Sequence, residues 1–128
     1  MRHVRELIMR EVKLLLMLRR PPYDGVYVPE AIDAALVAAA FEFKVAVLLL
    51  DDAVFALLPD QEASLIGRRT VGKLLLALPD YEISAVYACA DSLSVRGMTA
   101  ADAVIPVQVL TADEQAELLS RHDVVWND

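Results

Sequence analysis

Two short runs of bulky apolar residues, Leu-Leu-Leu-Met-Leu at 14–18 and Val-Ala-Val-Leu-Leu-Leu at 45–50, constrain this chain most. Neither alternates apolar with polar, so neither suits a strand with one wet face. Each reads as a strand covered on both sides, as in a parallel sheet. Both are far too short to span a bilayer, which takes about 20 apolar residues in a helix.

Parallel strands need crossover connections, and the intervening sequence supplies them. Residues 12–18 predict the first strand, ended by the Pro-rich loop 20–25. Pro29 sits in a first helical turn, and the Ala-rich stretch 30–41 predicts a helix packed closely on a sheet. After the second strand, 45–50, a short helical turn is expected at 53–58, stopped by Pro59. Residues 60–67 read as loop, and leucines at helical spacing over 68–78 predict a helix ending at Pro79. A third strand is expected at 84–89, followed by a helical turn to Arg96 and a stop at Gly97. Thr99 and Asp102 form a capping-box pattern. A fourth strand at 105–110, a helix at 112–121 capped by Thr111, and a fifth strand at 124–126 complete the chain. The alternation predicts one three-layer α/β/α domain over residues 11–128, with a mostly parallel five-stranded sheet. Residues 1–10 read as a short amphipathic extension, or as sequence ahead of a later start, and stand outside the expected fold. Arg2, Arg5, Glu6 and Arg10 interrupt any apolar core there, so no secretory signal is expected.

Hydrophobic residues make up 57% of the 128. That surplus must be buried inside the domain or against other subunits, which favours an oligomer. Twelve Lys and Arg against 19 Asp and Glu give a net charge of −7, which argues against a nucleic-acid-binding face. The single cysteine, Cys89, excludes an internal disulfide and a multi-cysteine metal site, and fits a reducing compartment. His3 and His122 lie far apart in sequence and predict neither a triad nor a zinc site. Gly25, Gly67, Gly72 and Gly97 are isolated, so no phosphate-binding glycine loop exists. No cofactor is expected.

Four stretches carry a family resemblance. They are Arg19-Arg20-Pro21-Pro22-Tyr23-Asp24-Gly25 after the first strand, Leu50-Asp51-Asp52-Ala53-Val54-Phe55-Ala56-Leu57-Leu58-Pro59-Asp60-Gln61 after the second, Asp80-Tyr81-Glu82-Ile83 before the third, and Val86-Tyr87-Ala88-Cys89-Ala90-Asp91-Ser92-Leu93-Ser94-Val95-Arg96-Gly97-Met98 through it. In this order they resemble the DsrF/TusC branch of the DsrE/DsrF-like family, whose signatures are Asp-Gly-Val-Phe-x-Leu and Cys-x-x-Ser-Leu-x-x-Arg-Gly-Leu. Ala53 departs from the usual glycine, so that residue is expected to keep a negative φ. The ending Val124-Val125-Trp126-Asn127-Asp128 departs from an apolar terminus.

The resemblance implies a cytoplasmic subunit of a TusBCD/DsrEFH-like heterohexamer that relays persulfide sulfur, toward tRNA 2-thiouridine or within sulfur oxidation. It implies DsrE/TusD-type and DsrH/TusB-type partner subunits and small sulfur-carrier proteins, with no direct nucleic acid and no membrane. It places the essential thiol on the DsrE/TusD-type partner in a Cys-x6-Arg-Gly setting, and Cys89 keeps that spacing to Arg96-Gly97. The part implied for this chain is that of a non-enzymatic, or at most accessory, subunit, with Cys89 as its candidate catalytic residue, at a strand end where N–H groups favour a thiolate. Asp91 nearby weighs against it, and a free cysteine is often only a small buried hydrophobe. Two other readings stay open: a homo-oligomeric DsrE-like protein carrying sulfur on Cys89, and a receiver-like signalling or nucleotide-binding domain using Asp51 and Asp52. Receivers also need acids after the first strand, where this chain has Arg19-Arg20, so capping of the following helical turn is the expected role of the two acids. Tyr81 and Tyr87 are expected as core or interface anchors.

Overall fold

The computed structural model describes residues 11–23, 25–59 and 71–127; the extension 1–10 and the expected loop 60–67 lie outside them. Five strands, β1 (Lys13–Leu18), β2 (Lys44–Leu49), β3 (Ala85–Cys89), β4 (Gln108–Leu110) and β5 (Val124–Asn127), form one sheet in the order β4-β3-β2-β1-β5. Every pairing is parallel. The helices are α1 (Tyr27–Ala40), α2 (Val71–Ala77), α3 (Ala90–Val95) and α4 (Ala112–Ser120), with 3-10 turns at Asp51–Leu57, Leu78–Tyr81 and Ala100–Asp102. None of the described helices is long and apolar enough to cross a membrane.

The two apolar runs became the central strands, and period-2 alternation divides their side chains between two cores. Leu14, Leu16, Leu18, Val45, Val47 and Leu49 face one way, against Ile32 and Ala35 of α1 and Leu75 of α2. Leu15, Met17, Ala46 and Leu48 face the other way, against Leu118 of α4. Four of the five β1 leucines and methionines are essentially sealed from water, each burial stabilising by roughly 1.5–3 kcal/mol.

The element boundaries differ from expectation for identifiable reasons. The helix expected from residue 30 begins at Tyr27, so Pro29 lies in its first turn, where a missing N–H breaks no helical bond. The fourth strand begins at Gln108 rather than 105, because Pro106 has no N–H for the ladder. The helix expected to stop at Pro79 instead tightens into the 3-10 turn Leu78–Tyr81 with Pro79 at its start, and Glu82 ends it in the left-handed region. The turn after β2 begins at Asp51, earlier than residue 53. Its positive φ falls on Asp51 (51°), and Ala53 stays out of the left-handed region as expected. Gly97, with φ of 67°, terminates α3. The capping boxes hold: Thr99 N donates to Asp102 Oδ2 at 2.8 Å and Thr111 N to Glu114 Oε1 at 2.9 Å.

The apolar surplus is not wholly consumed inside. Val37 and Phe41 on and beside α1, Leu76 of α2 and Val95 of α3 are more than half exposed, Phe41 at 76% and Val95 at 82%. The departing C-terminal sequence forms the edge strand β5, whose Val124, Val125 and Trp126 pair with β1 and stay partly open.

Candidate functional site

All five strands point the same way, so their C-terminal ends gather at one edge of the sheet. Three chain segments meet there: Arg19 beyond β1, Leu50 and Asp51 beyond β2, and Cys89 closing β3. Cys89 shares the face of Tyr87 and Ala85, the face that α4 crosses. The result is a cleft of about 330 Å³ whose walls include Met17, Leu50, Cys89, Gln115 and Leu119. The thiol is partly exposed in it.

Cys89 is also the N-cap of α3, and its Sγ accepts a hydrogen bond from Ser92 N at 3.5 Å. Ser92 is the one buried polar residue among those described, 6% exposed. Its Oγ accepts from Asp51 N at 2.9 Å, which leaves the hydroxyl proton to be donated to the sulfur. Across the cleft, Gln115 donates from Nε2 to Leu110 O at 3.0 Å, which fixes its amide beside the thiol. Burial alone would push the Cys89 thiol up. Donation from the Ser92 hydroxyl, Ser92 N–H, Gln115 side chain and Asp91 N–H outweighs it and brings the thiol below its ordinary value. With only six residues, α3 has little macrodipole, so these individual donors account for the effect. The expected penalty from Asp91 does not arise: its side chain lies at the surface and its main-chain N–H favours the thiolate.

Arg96 holds this corner together. Its Nη2 and Nε donate to Asp52 Oδ1 at 2.8 and 3.1 Å, its Nη1 to Ser92 O at 3.1 Å, and its guanidinium lies 5.8 Å from the Phe55 ring centre. The guanidinium thus ties α3 to the 3-10 turn after β2. On the other side Arg19 links Asp51 Oδ2 at 3.4 Å with Asn127 Oδ1 of β5 at 3.3 Å. The capping role expected for Asp51 and Asp52 is not found. The N-cap position of their turn is Leu50, no side chain caps it, and both carboxylates pair with arginines instead.

Residues 12–126 match the DsrE/DsrF-like family. The chain belongs to that family. The "Intracellular sulfur oxidation protein DsrF" of Allochromatium vinosum is 32% identical to it, over 90% of this chain and 95% of that one. The "Protein TusC homolog" of Pseudomonas aeruginosa is 35% identical, over 88% and 94%. Among solved structures, the ychN protein from E. coli superposes with a TM-score of 0.81 at 20% identity, covering 91% of this chain and 99% of its own. Protein MTH1491 from Methanobacterium thermoautotrophicum gives 0.63 at 18% identity, covering 87% and 91%. At these identities the two structures speak for the fold alone.

The spacing from Cys89 to Arg96 and Gly97 has a physical content in this chain. Cys89 faces the cleft, Arg96 braces the helix that presents Ser92, and Gly97 lets the chain turn away. His122 donates from Nδ1 to Leu118 O at 2.7 Å, ordinary behaviour at a helix end, and it lies at the other edge of the sheet from Cys89. His3 falls outside the described residues. Among the described residues no group of His, Cys, Asp and Glu could hold a metal. Tyr87 packs against the second core, whereas Tyr81 is largely exposed. Sequence reasoning missed Gln115, which lies 26 positions from Cys89 and looks like any polar helix residue. It also passed over Ser92, although a Ser three residues after an N-cap was visible in the signature.

Proposed function

We propose that this chain is a subunit of a cytoplasmic sulfur-relay complex of the DsrF/TusC kind, in which Cys89 takes up persulfide sulfur in passing. Likeness to DsrF and to TusC homologues over nearly the whole chain supports the relay role. One observation carries the part assigned to Cys89: a partly open thiol in a cleft, ringed by hydrogen-bond donors that favour its thiolate. The exposed apolar positions on α1, α2 and α3 fit the covered surfaces of an assembly, with DsrE/TusD-type and DsrH/TusB-type subunits as its partners.

The step is a sulfur transfer without net oxidation. The Cys89 thiolate attacks the outer sulfur of a donor persulfide, R–S–SH, and a new S–S bond forms at Cys89. The donor's S–S bond breaks and R–S⁻ leaves as a thiolate. An acceptor thiolate then repeats the step on the Cys89 persulfide. Ser92 and Gln115 hold the attacking and, later, the departing thiolate, so the same donors serve both directions.

Mass spectrometry of the complex after exposure to a persulfide-charged donor protein tests this. A gain of one sulfur atom on the Cys89 peptide, removed by a reductant, is the expected result. Unmodified Cys89 in a complex whose partner cysteine is loaded would return the chain to a purely accessory role.

A further inference from the structure

The sheet face that carries Cys89 bears a second cleft at its opposite edge, of about 290 Å³. It lies ~13–20 Å from the first, four to six residues of strand at about 3.3 Å each. β1 and β2 each open with a lysine, and their register sets Lys13 directly beside Lys44. By alternation both lysines share the face of Leu15, Met17, Ala46 and Leu48. The far end of α4 delivers Arg121 and His122 to the same cleft.

Neighbouring parallel strands lie about 4.8 Å apart, so two like charges in register repel unless an anion lies between them. Among the described residues no salt bridge occupies Lys13, Lys44 or Arg121. Asp123, adjacent in sequence to the cleft, is engaged by the Lys13 main-chain N–H through its Oδ2 at 2.9 Å. Of the lining residues only Glu82 is acidic, so the lining sets three cations against one carboxylate in a chain of net charge −7, with the Asp123 carboxylate beside it held on the Lys13 main chain. His122 spends Nδ1 on Leu118 O, which leaves Nε2 for a ligand. Tyr87 and Ser84 add hydroxyl groups to the wall.

We propose that this cleft binds a small tetrahedral oxyanion, of the phosphate or sulfate class, between Lys13 and Lys44. The volume lies at the lower end of ligand pockets and suits a single oxyanion with its water rather than a nucleotide. The lysine pair supplies charge, Arg121 a fork that can meet two oxygens, and the hydroxyl groups single donors.

Isothermal titration of the full chain, in the assembly in which it purifies, tests the site. Sodium phosphate, sodium sulfate and sodium chloride are compared at matched ionic strength. Saturable binding of phosphate or sulfate at one ion per chain, absent with chloride, is expected. A stronger response to phosphate would assign a phosphate-type ligand, and a stronger response to sulfate a sulfur oxyanion. The double variant Lys13→Ala/Lys44→Ala should bind at least about tenfold more weakly, as charge-assisted hydrogen bonds are lost. Both side chains are exposed, and circular dichroism checks that the variant folds. The imidazole NMR signal of His122 in the unaltered chain gives a second readout, and it should move saturably with the same ion. Heats equal to those of chloride, or an unmoved His122 signal, would overturn the proposal. So would unchanged affinity in a folded double variant.

Discussion

Replacing Ser92 by alanine separates the chemical role of this corner from its structural one. The hydroxyl connects Asp51 N, 2.9 Å away, to the Cys89 sulfur, so Ser92→Ala removes a donor to the sulfur and an acceptor for Asp51. A net hydrogen bond is worth about 0.5–1.5 kcal/mol, and about 1.4 kcal/mol corresponds to one pH unit of titration. The thiol should therefore titrate higher in the variant, because the loss of this donor removes part of what holds it down. The sign follows from the direction of the shift: a thiol held below its ordinary value carries more thiolate at neutral pH, and the variant gives part of that back. Thiolate population falls ~2.5- to 10-fold, but a more basic thiolate is a better nucleophile, with a Brønsted slope of about 0.4–0.5. The two effects leave a net slowing of about 1.5- to 4-fold in exchange with a small disulfide at neutral pH. Leaving the part-buried Asp51 N–H without its acceptor should cost about 1 kcal/mol in urea unfolding. Because Cys89 is the only cysteine, the exchange rate against pH reports on it alone. An unchanged midpoint and rate in a folded Ser92→Ala chain would refute the claim that this hydroxyl supports the thiolate.

Further outcomes are expected at Cys89, Arg96, Leu118 and Phe41. Cys89→Ser, which cannot form a persulfide, should lower radiolabelled sulfur transfer through the assembled complex; undiminished transfer would return the chain to an accessory role. Arg96→Ala should lower stability by about 0.5–1.5 kcal/mol in denaturant melts, since the pair with Asp52 is partly screened but the fork to Ser92 O is also lost. Arg96→Lys should fail to restore it, because an ammonium cannot span both acceptors. Leu118→Ala should cost roughly 2–5 kcal/mol in the same melts, as Leu118 is the fully buried residue by which α4 closes the second core. Light scattering should find an oligomer, alone or co-expressed with DsrE- and DsrH-type partners, and Phe41→Asp should weaken that assembly without unfolding the chain; a stable monomer in both preparations would contradict the covered-surface argument.

What the sequence determined by itself was the layered architecture and the place of the thiol within it. Runs such as 14–18 and 45–50 are apolar on both faces, and that property admits few solutions besides a parallel sheet covered on both sides. Caps at Thr99 and Thr111 and the stop at Gly97 were legible because capping chemistry is local, confined to three or four residues. The surroundings of Cys89 were not legible, because they come from segments distant in sequence. Asp51 reaches Ser92 across 41 positions, Arg96 reaches Asp52 across 44, and Gln115 comes from a helix folded back over the sheet. Sequence proximity made Asp91 look like the thiol's dominant neighbour, yet α3 turns that carboxylate to the surface and presents only the N–H. The register decided the rest. Placing Lys13 beside Lys44 required β1 and β2 to pair without offset, and side-chain period 2 then put both charges on the face that α4 crosses. Composition records how many charges and thiols a chain has, but only the packing of its strands and helices settles which groups meet.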